Sequence, residues 1–307
     1  DSVSPVQNRN TAITYFDQII ARPDSPLYYD AVYQRGWVRM NSYDQDDLRL
    51  AMNDFLELLV AIENGRISNP DLVRDYKADA TDNIAYCLIA LDGTNFQAQS
   101  QGIAEINRIF AGYENQQVVR EVIDLATQNK NRMASRLQAA DFLRYRVDQF
   151  PLALENPTYL DSIPWLYANS TTPLREGESV PQITRAIYHE IANSYNHKSD
   201  WYNANKDNNI EPQLVIVDKA FKESGIFLYN DFANRKDRSA MESYIAHMNE
   251  YDGFLQLHGE NYSKFRTDTD SIFVDFYAIL AENTQNPADY LEAITQLRSY
   301  KIGRAHV

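Results

Sequence analysis

Apolar side chains recur with helical spacing along almost the whole chain. Val118, Val122 and Ala126 occupy positions i, i+4 and i+8, which places them on one face of a helix. Similar stripes occur within 132–151 and 272–280. No segment sustains the period-two alternation of apolar and polar residues that a half-buried strand requires. The pattern therefore predicts an all-α protein without a β-sheet.

The helical stripes are separated by mostly short polar turns. We predict helices near residues 9–21, 26–41, 46–64, 70–92, 98–112, 116–129, 132–149, 157–168, 178–197, 210–233, 239–258, 263–283 and 287–299. Short connections indicate that successive helices are antiparallel neighbours. The longest polar connections are 169–177 and 198–209. The second is either a hinge between two halves of the chain or an ordered loop over a groove.

Several predicted helices begin with a polar residue followed by proline. These pairs are Ser25-Pro26, Asn69-Pro70, Asn156-Pro157 and Asn286-Pro287. The polar side chain can accept a hydrogen bond from a free backbone N–H, and proline has no N–H to leave unpaired in the first turn. The recurrence indicates repeated helix initiation.

The segment 23–55 has the features of one helical hairpin in a repeating array. Its first helix carries Gly36 and Trp37, and its second carries Ala51 and Phe55 at a spacing of four. A helix pair that is opened and closed by proline cannot bury its apolar face alone, so neighbouring pairs must stack on it. The expected architecture is a right-handed α-solenoid of stacked antiparallel helix pairs.

These residues resemble the tetratricopeptide-repeat (TPR) family. The resemblance is carried by Ala12-x3-Phe16 followed by Pro23, by Gly36-Trp37 followed by Ala51-x3-Phe55, and by Ala139-x3-Leu143 followed by Pro151. Three positions depart from the family pattern, and they hold Val32, Arg35 and Arg39.

A narrower resemblance comes from PDSP-x4-A-x-Y-x2-GW combined with the later S-x-W-Y-x-x-N of 199–205. Together they are similar to long envelope-associated TPR proteins of Gram-negative bacteria. The resemblance implies a scaffold that binds a protein or peptide within a cell-envelope assembly. It implies a periplasmic or outer-membrane-associated location, with the cytoplasm as the alternative.

The TPR register also implies a set of candidate ligand-binding residues. In such arrays the first helix of each pair lines the concave face, and Asp30, Tyr33, Trp37 and Asn41 would point towards it. Tryptophan and tyrosine are frequent binding anchors. The alternative is that Tyr33 and Trp37 pack against the next helix.

We expect residues 1–300 to form one TPR-like solenoid, with 198–209 as the candidate hinge. The last seven residues, 301–307, read KIGRAHV. This is the translation of a nucleotide string that resembles a sequencing adapter. We therefore expect 301–307 to be a non-native tail at the end of a genomic fragment.

Composition narrows the choice of partners. The net charge of −14 over 307 residues disfavours nucleic acid, which attracts basic proteins. No run of apolar residues is long enough for a transmembrane helix, so we expect no direct membrane insertion.

The 21 tyrosines could line a wet groove, since each ring has an apolar body and a polar tip. The single cysteine, Cys87, lies in an apolar helical stripe and is expected to be buried.

The chain contains few signs of catalytic chemistry. His189 and Glu190 open an HExxH-like segment, but its fifth residue is Asn193 and the second zinc ligand is missing. Asp44 and its acidic neighbours lack the glycine and distal glutamate of a calcium-binding loop, and helix capping explains them. We therefore expect no catalytic residues, no metal and no cofactor.

The leading interpretation is a non-catalytic scaffold for protein–protein interaction. One alternative is a structural spacer whose ends make the contacts. Another is a helical carbohydrate-active or sugar-binding module of the α/α-toroid type. The toroid would require a closed ring and a pair of carboxylates facing aromatic side chains in one deep cavity.

Overall fold

The computed structural model describes residues 5–93, 98–133, 135–259 and 275–304. Within these ranges all regular secondary structure is helical, which confirms the predicted all-α class without a sheet. In the same ranges, no helix has the length and apolar character needed to cross a bilayer. The predicted helix at 263–283 falls partly outside the described residues.

The helices follow one another with short connections. Their bounds are α1 Pro5–Ile20, α2 Tyr28–Met40, α3 Gln45–Glu63, α4 Pro70–Ala90, α5 Gln101–Ile109, α6 Gln116–Arg132, α7 Arg136–Gln149, α8 Asn156–Ala168, α9 Val180–Ser194, α10 Asp200–Asn205, α11 Glu211–Arg235, α12 Arg238–His258, α13 275–284 and α14 Pro287–Arg304.

The polar residue before each proline does not have the same role at every helix start. Asn69 and Asn286 cap their helices, since each side-chain oxygen accepts a 3.0 Å hydrogen bond from a backbone N–H of the first turn. Ser25 does not cap α2, because an additional turn precedes Tyr28. Asn156 instead donates its amide to the carbonyl of Phe150 at 2.8 Å. Sequence alone could not distinguish these uses, since both satisfy free backbone groups.

The chain forms two compact units. Unit 1 contains Asp1–Gln149 and Trp165–Glu178, and unit 2 contains Phe150–Pro164 and Ser179–Val307. One boundary falls within α8 directly after Pro164, a residue that lacks the N–H needed to continue the helical hydrogen-bond ladder. The polar segment 198–209 lies inside unit 2.

In unit 1, each helix from α1 to α4 packs on the next one along the chain. Alternate helices also meet, with α4 on α6 and smaller contacts of α2 with α4, α3 with α5, and α5 with α7. The core between them is apolar and fully buried, and it includes Leu48, Met52, Phe55, Leu58, Ile84, Leu88, Val122 and Phe142.

The hairpin of α2 and α3 is held by a close approach and an ion-pair cluster. A Cβ at Gly36 would lie 3.0 Å from the ring of Phe55, so a small residue is needed there. Arg35 and Arg39 both bind Asp54, with N–O distances of 2.6 and 2.7 Å. The two arginines that depart from the TPR pattern therefore bind a buried carboxylate of the next helix.

A second buried polar cluster lies deeper in unit 1. The ammonium of Lys130 pairs with Asp92 at 2.7 Å, and neither side chain is exposed. Lys130 also donates to the carbonyl of Ile89 and to Gln138, and Asp92 accepts the N–H of Gln101 and the hydroxyl of Ser100. A buried charge pair is tolerable only when its remaining groups are bonded in this way.

Unit 2 is organised around α11, which packs on both α9 and α12. Aromatic rings fill this interface, with Phe221 stacked on Tyr251 at 5.1 Å and 5.5 Å from Phe254. The segment predicted as a polar connection contains α10, whose Trp201 is 2% exposed. Its indole N–H donates to the carbonyl of Ala153 at 2.8 Å, while Asn205 donates to that of Leu152.

Candidate functional site

The four candidate residues, three on α2 and Asn41 directly after its end, form two separate pairs. Asp30 and Tyr33 face α4, where Asp30 accepts the hydroxyl of Tyr76 and Tyr33 donates to Asp79 at 2.7 Å. The rings of Tyr33 and Tyr76 are 5.3 Å apart. Burial and the bond to Asp79 raise the pKa of Tyr33. This pair therefore connects α2 to its neighbour.

Trp37 and Asn41 lie on another side of α2. They line a cleft of about 550 Å³ together with Val6, Arg9 and Gln34. Trp37 is 38% exposed, and the Asn41 amide donates to its carbonyl at 2.8 Å. The indole is thus partly available to a ligand.

A groove in unit 2 combines more chemistry in one place. Its volume is about 620 Å³, and it is lined by residues of α9, α11 and α12. We call it the α9–α11–α12 groove. Phe227 and Leu228 of α11, Ala186 of α9 and Ala246 of α12 supply apolar surface. An apolar surface with a few convergent polar groups is typical of ligand-binding sites.

The polar groups of the groove come from all three helices. They are Gln182, Arg185, His189, Asn193, Ser224, Ser243, His247 and Glu250. Ser224 and His247 are buried on the inner side, whereas Arg185 and His189 are exposed. Glu250 forms a 2.7 Å ion pair with Lys198, which lies between α9 and α10.

His189 is held by two neighbours. Its Nε2 lies 3.0 Å from the amide nitrogen of Asn193, one turn further along α9, and its Nδ1 lies 3.5 Å from the hydroxyl of Ser224. Asn193 is the residue that takes the place of the second histidine of a zinc motif. It orients the ring by hydrogen bonding.

His247 is buried against α11. Its Nε2 lies 2.8 Å from the carbonyl oxygen of Phe221, so this nitrogen carries the proton and donates it. Gly225 of α11 lies beside the ring, and a Cβ there would be in ordinary van der Waals contact with it, at 3.7 Å. Burial lowers the pKa of His247, which keeps the imidazole neutral near pH 7.

No protein-family model, curated protein or solved structure matches this chain. The site is therefore defined by its geometry alone.

The described residues contain no group of three or more His, Cys, Asp or Glu side chains placed to hold a metal ion. Asp44 caps α3 by accepting hydrogen bonds from the N–H groups of Asp46 and Asp47, which confirms the capping interpretation of this acidic turn. Cys87 is fully buried, as predicted, and burial raises the pKa of its thiol to about 12.

No pattern in the sequence predicts the α9–α11–α12 groove. The spacing of His189 and Asn193 indicates only an incomplete zinc motif. Arg185, Phe227 and His247 lie on three different helices, and only the packing of those helices brings the three side chains to one surface. A helical-wheel pattern gives no information on which helices meet.

Proposed function

We propose that this protein is a non-catalytic scaffold that holds a peptide segment of a partner protein. The observation that carries the proposal is the α9–α11–α12 groove. Apolar surface from Phe227 and Leu228 can bury a side chain, while side chains on the two flanking helices can bond to a peptide main chain. No cofactor, metal or nucleic acid is needed for this activity.

The packing of unit 1 supports a TPR-like solenoid as the framework. Successive and alternate helices both meet, and Gly36 and Phe55 approach closely between α2 and α3. Stacked helix pairs provide extended surfaces for binding other proteins. The partly exposed Trp37 in the cleft beside α1 offers a second contact surface of the same kind.

We further propose a place in a bacterial cell-envelope assembly, periplasmic or associated with the outer membrane. The support is the similarity of 23–37 and 199–205 to envelope-associated TPR proteins. The structure gives the second motif a structural purpose, since Trp201 and Asn205 bind the carbonyls of the turn before α8.

The geometry favours a binding scaffold over a sugar-processing toroid. The α9–α11–α12 groove contains one carboxylate, Glu250, and that group is ion-paired. A cleft between α4 and α6 has Asp82, Glu121 and Asp124 but no aromatic side chain, and the Trp37 cleft has no carboxylate. None of these three clefts has the carboxylate pair facing aromatic rings that glycoside chemistry requires.

The proposal is tested by selecting binders from a displayed random peptide library. Selection on the wild-type protein should give peptides of convergent sequence. The variant Ala186→Arg/Ala246→Arg fills the groove from both walls without changing a buried residue. It should abolish binding of the selected peptides, measured by fluorescence anisotropy.

The matched control is Ala233→Arg, an exposed alanine of α11 that does not line the groove. This variant should bind the selected peptides as tightly as the wild type. The proposal is overturned if selection gives no convergent sequence, or if the groove variant binds as well as the control.

A further inference from the structure

His247 presents one nitrogen that the protein itself does not use. The side chain is 6% exposed and belongs to the lining of the α9–α11–α12 groove. Its Nε2–H is committed to the carbonyl of Phe221 at 2.8 Å. Among the described residues, Nδ1 has no hydrogen-bond partner. A neutral imidazole that donates from Nε2 offers a bare acceptor at Nδ1. Nδ1 of His247 is not among the buried side-chain atoms that lack a partner in the described residues, so a ligand in the groove can reach it.

The groove also contains an exposed cation without an acidic partner. Arg185 lies one helical turn before His189 on α9, and within the described residues it forms no ion pair. The carboxylate of the groove, Glu250, pairs with Lys198 instead. The site therefore favours a ligand that carries a negative charge, and a guanidinium can bind a carboxylate through two parallel hydrogen bonds.

We propose that the groove binds an extended peptide whose main-chain N–H is donated to Nδ1 of His247. A side-chain carboxylate of the same peptide binds Arg185, and an apolar side chain between them rests on Phe227 and Leu228. This inference rests on the peptide-binding function proposed above. It adds the chemistry of the ligand and makes binding dependent on pH.

Protonation of His247 would convert the acceptor at Nδ1 into a donor and break the bond to the peptide. The titratable and charged groups that line the groove with His247 are Arg185 and His189 of α9 and Glu250 of α12. On α11, which packs against α12, the carboxylate of Asp218 accepts the hydroxyl of Tyr251. Burial holds the pKa of His247 below its ordinary value of about 6.5. We therefore expect the protein to lose affinity for the peptide below about pH 6.5.

The test uses a peptide selected as described above and the variant His247→Gln. A glutamine amide can still donate to Phe221 from the Nε2 position but places no ring nitrogen at the Nδ1 position. At about pH 7.5, His247→Gln should bind the peptide about tenfold more weakly than the wild type, the value of one hydrogen bond. Wild-type affinity should fall between about pH 7.5 and about pH 5, whereas that of His247→Gln should stay constant.

Two further variants test which side chain binds the carboxylate of the peptide and which histidine causes the pH dependence. Arg185→Gln should weaken binding and reduce its dependence on salt. His189→Gln should keep the pH dependence of the wild type. The inference is overturned if affinity rises on acidification, if His189→Gln removes the pH dependence, or if the selected peptides are basic.

The two proposals fail in different ways. If no peptide binds, or if Ala186→Arg/Ala246→Arg leaves binding intact, the peptide-binding function itself is wrong. If that variant abolishes binding but His247→Gln and pH have no effect, the function stands and the role of His247 is wrong.

Discussion

At the scale of single residues, Gly102 has the least room for a side chain among the described glycines of unit 1. A Cβ at this position would lie 2.3 Å from the carbonyl oxygen of Leu88, so α5 could not keep its distance from α4. We expect Gly102→Ala to lower the free energy of unfolding by about 1–3 kcal/mol, the usual cost of overpacking. Urea denaturation followed by circular dichroism would measure the change.

Gly225 provides the matched control for Gly102. It is also helical, but a Cβ there would make only ordinary van der Waals contacts, with Sδ of Met248 at 3.4 Å and with the ring of His247 at 3.7 Å. Alanine has the higher helix propensity, by up to about 1 kcal/mol. Gly225→Ala should therefore leave stability unchanged or raise it slightly. Equal effects of the two substitutions would show that propensity decides the outcome and that the backbone approach does not.

The burial of a residue could be predicted where it follows from the local spacing of apolar residues. The A-x3-F pattern placed Ala51 and Phe55 in the core, and both are fully buried. Trp201 was not predicted to be buried, because its neighbours in 198–209 are polar and its contact with Ala153 crosses many residues of sequence. A long-range bond of this kind leaves no trace in local hydrophobic spacing.

At the scale of helices, tyrosine hydroxyls connect neighbouring elements through carboxylates. Tyr28 donates to Glu57 at 2.6 Å between α2 and α3, and Tyr251 donates to Asp218 at 2.6 Å between α12 and α11. Tyr76 donates to Asp30 between α4 and α2. The abundance of tyrosine is explained at these positions by bonds between helices.

These bonds predict a loss of stability in alkali. The hydrogen bond to Glu57, with burial, raises the pKa of Tyr28 to about 12, and burial, with the bond to Asp30, raises that of Tyr76. The folded state keeps its phenol protons after the unfolded chain begins to lose them. The stabilisation is therefore complete below about pH 10 and declines as the pH rises through the folded-state pKa values.

The variant Tyr76→Phe tests this explanation. It should be less stable than the wild type by about 1 kcal/mol at about pH 8, and the difference should shrink towards zero near pH 11. Tyr15→Phe is the control, since Tyr15 is 63% exposed and should give no difference at either pH. A difference for Tyr76→Phe that stays constant with pH would contradict the mechanism. Urea denaturation at both pH values gives the free energies.

At the scale of the whole molecule, the two units should respond differently to acid. Every histidine among the described residues lies in unit 2. Burial lowers the pKa of His197, His247 and His258, with the charge of Lys198 adding to the effect at His197. Their contribution to stability is present above about pH 6.5 and is lost as the pH falls through the lowered folded-state pKa values.

Hydrogen exchange read out by mass spectrometry can resolve the two units. Between about pH 7.5 and about pH 5.5, amides of α11 and α12 should lose protection after correction for intrinsic rates. Amides of α3 and α4 in unit 1 should keep theirs, which makes unit 1 the internal control. Uniform loss across both units would show that the histidines do not govern the response.

The fold was more predictable than the site. Helix bounds such as those of α4 and α12 follow from local signals, with Asn69-Pro70 and Asp237 at their starts. The α9–α11–α12 groove depends on which helices pack together, and that choice is made by contacts such as Phe221 with Tyr251. The solenoid superhelix and the concave-face role of Asp30, Tyr33, Trp37 and Asn41 stay predictions.

The return of the chain to unit 1 within α8, at Trp165, has a consequence for synthesis on the ribosome. Two residues of α7 bind partners in this later segment. Asp141 forms an ion pair with Arg175 at 2.5 Å, and Arg136 donates a hydrogen bond to the carbonyl of Asn169. Both partners are translated after Phe150–Pro164, a segment that belongs to unit 2. An emerging chain therefore cannot complete its N-terminal unit until part of the next one has left the exit tunnel. A cut after Gln149 would remove that closing segment from unit 1.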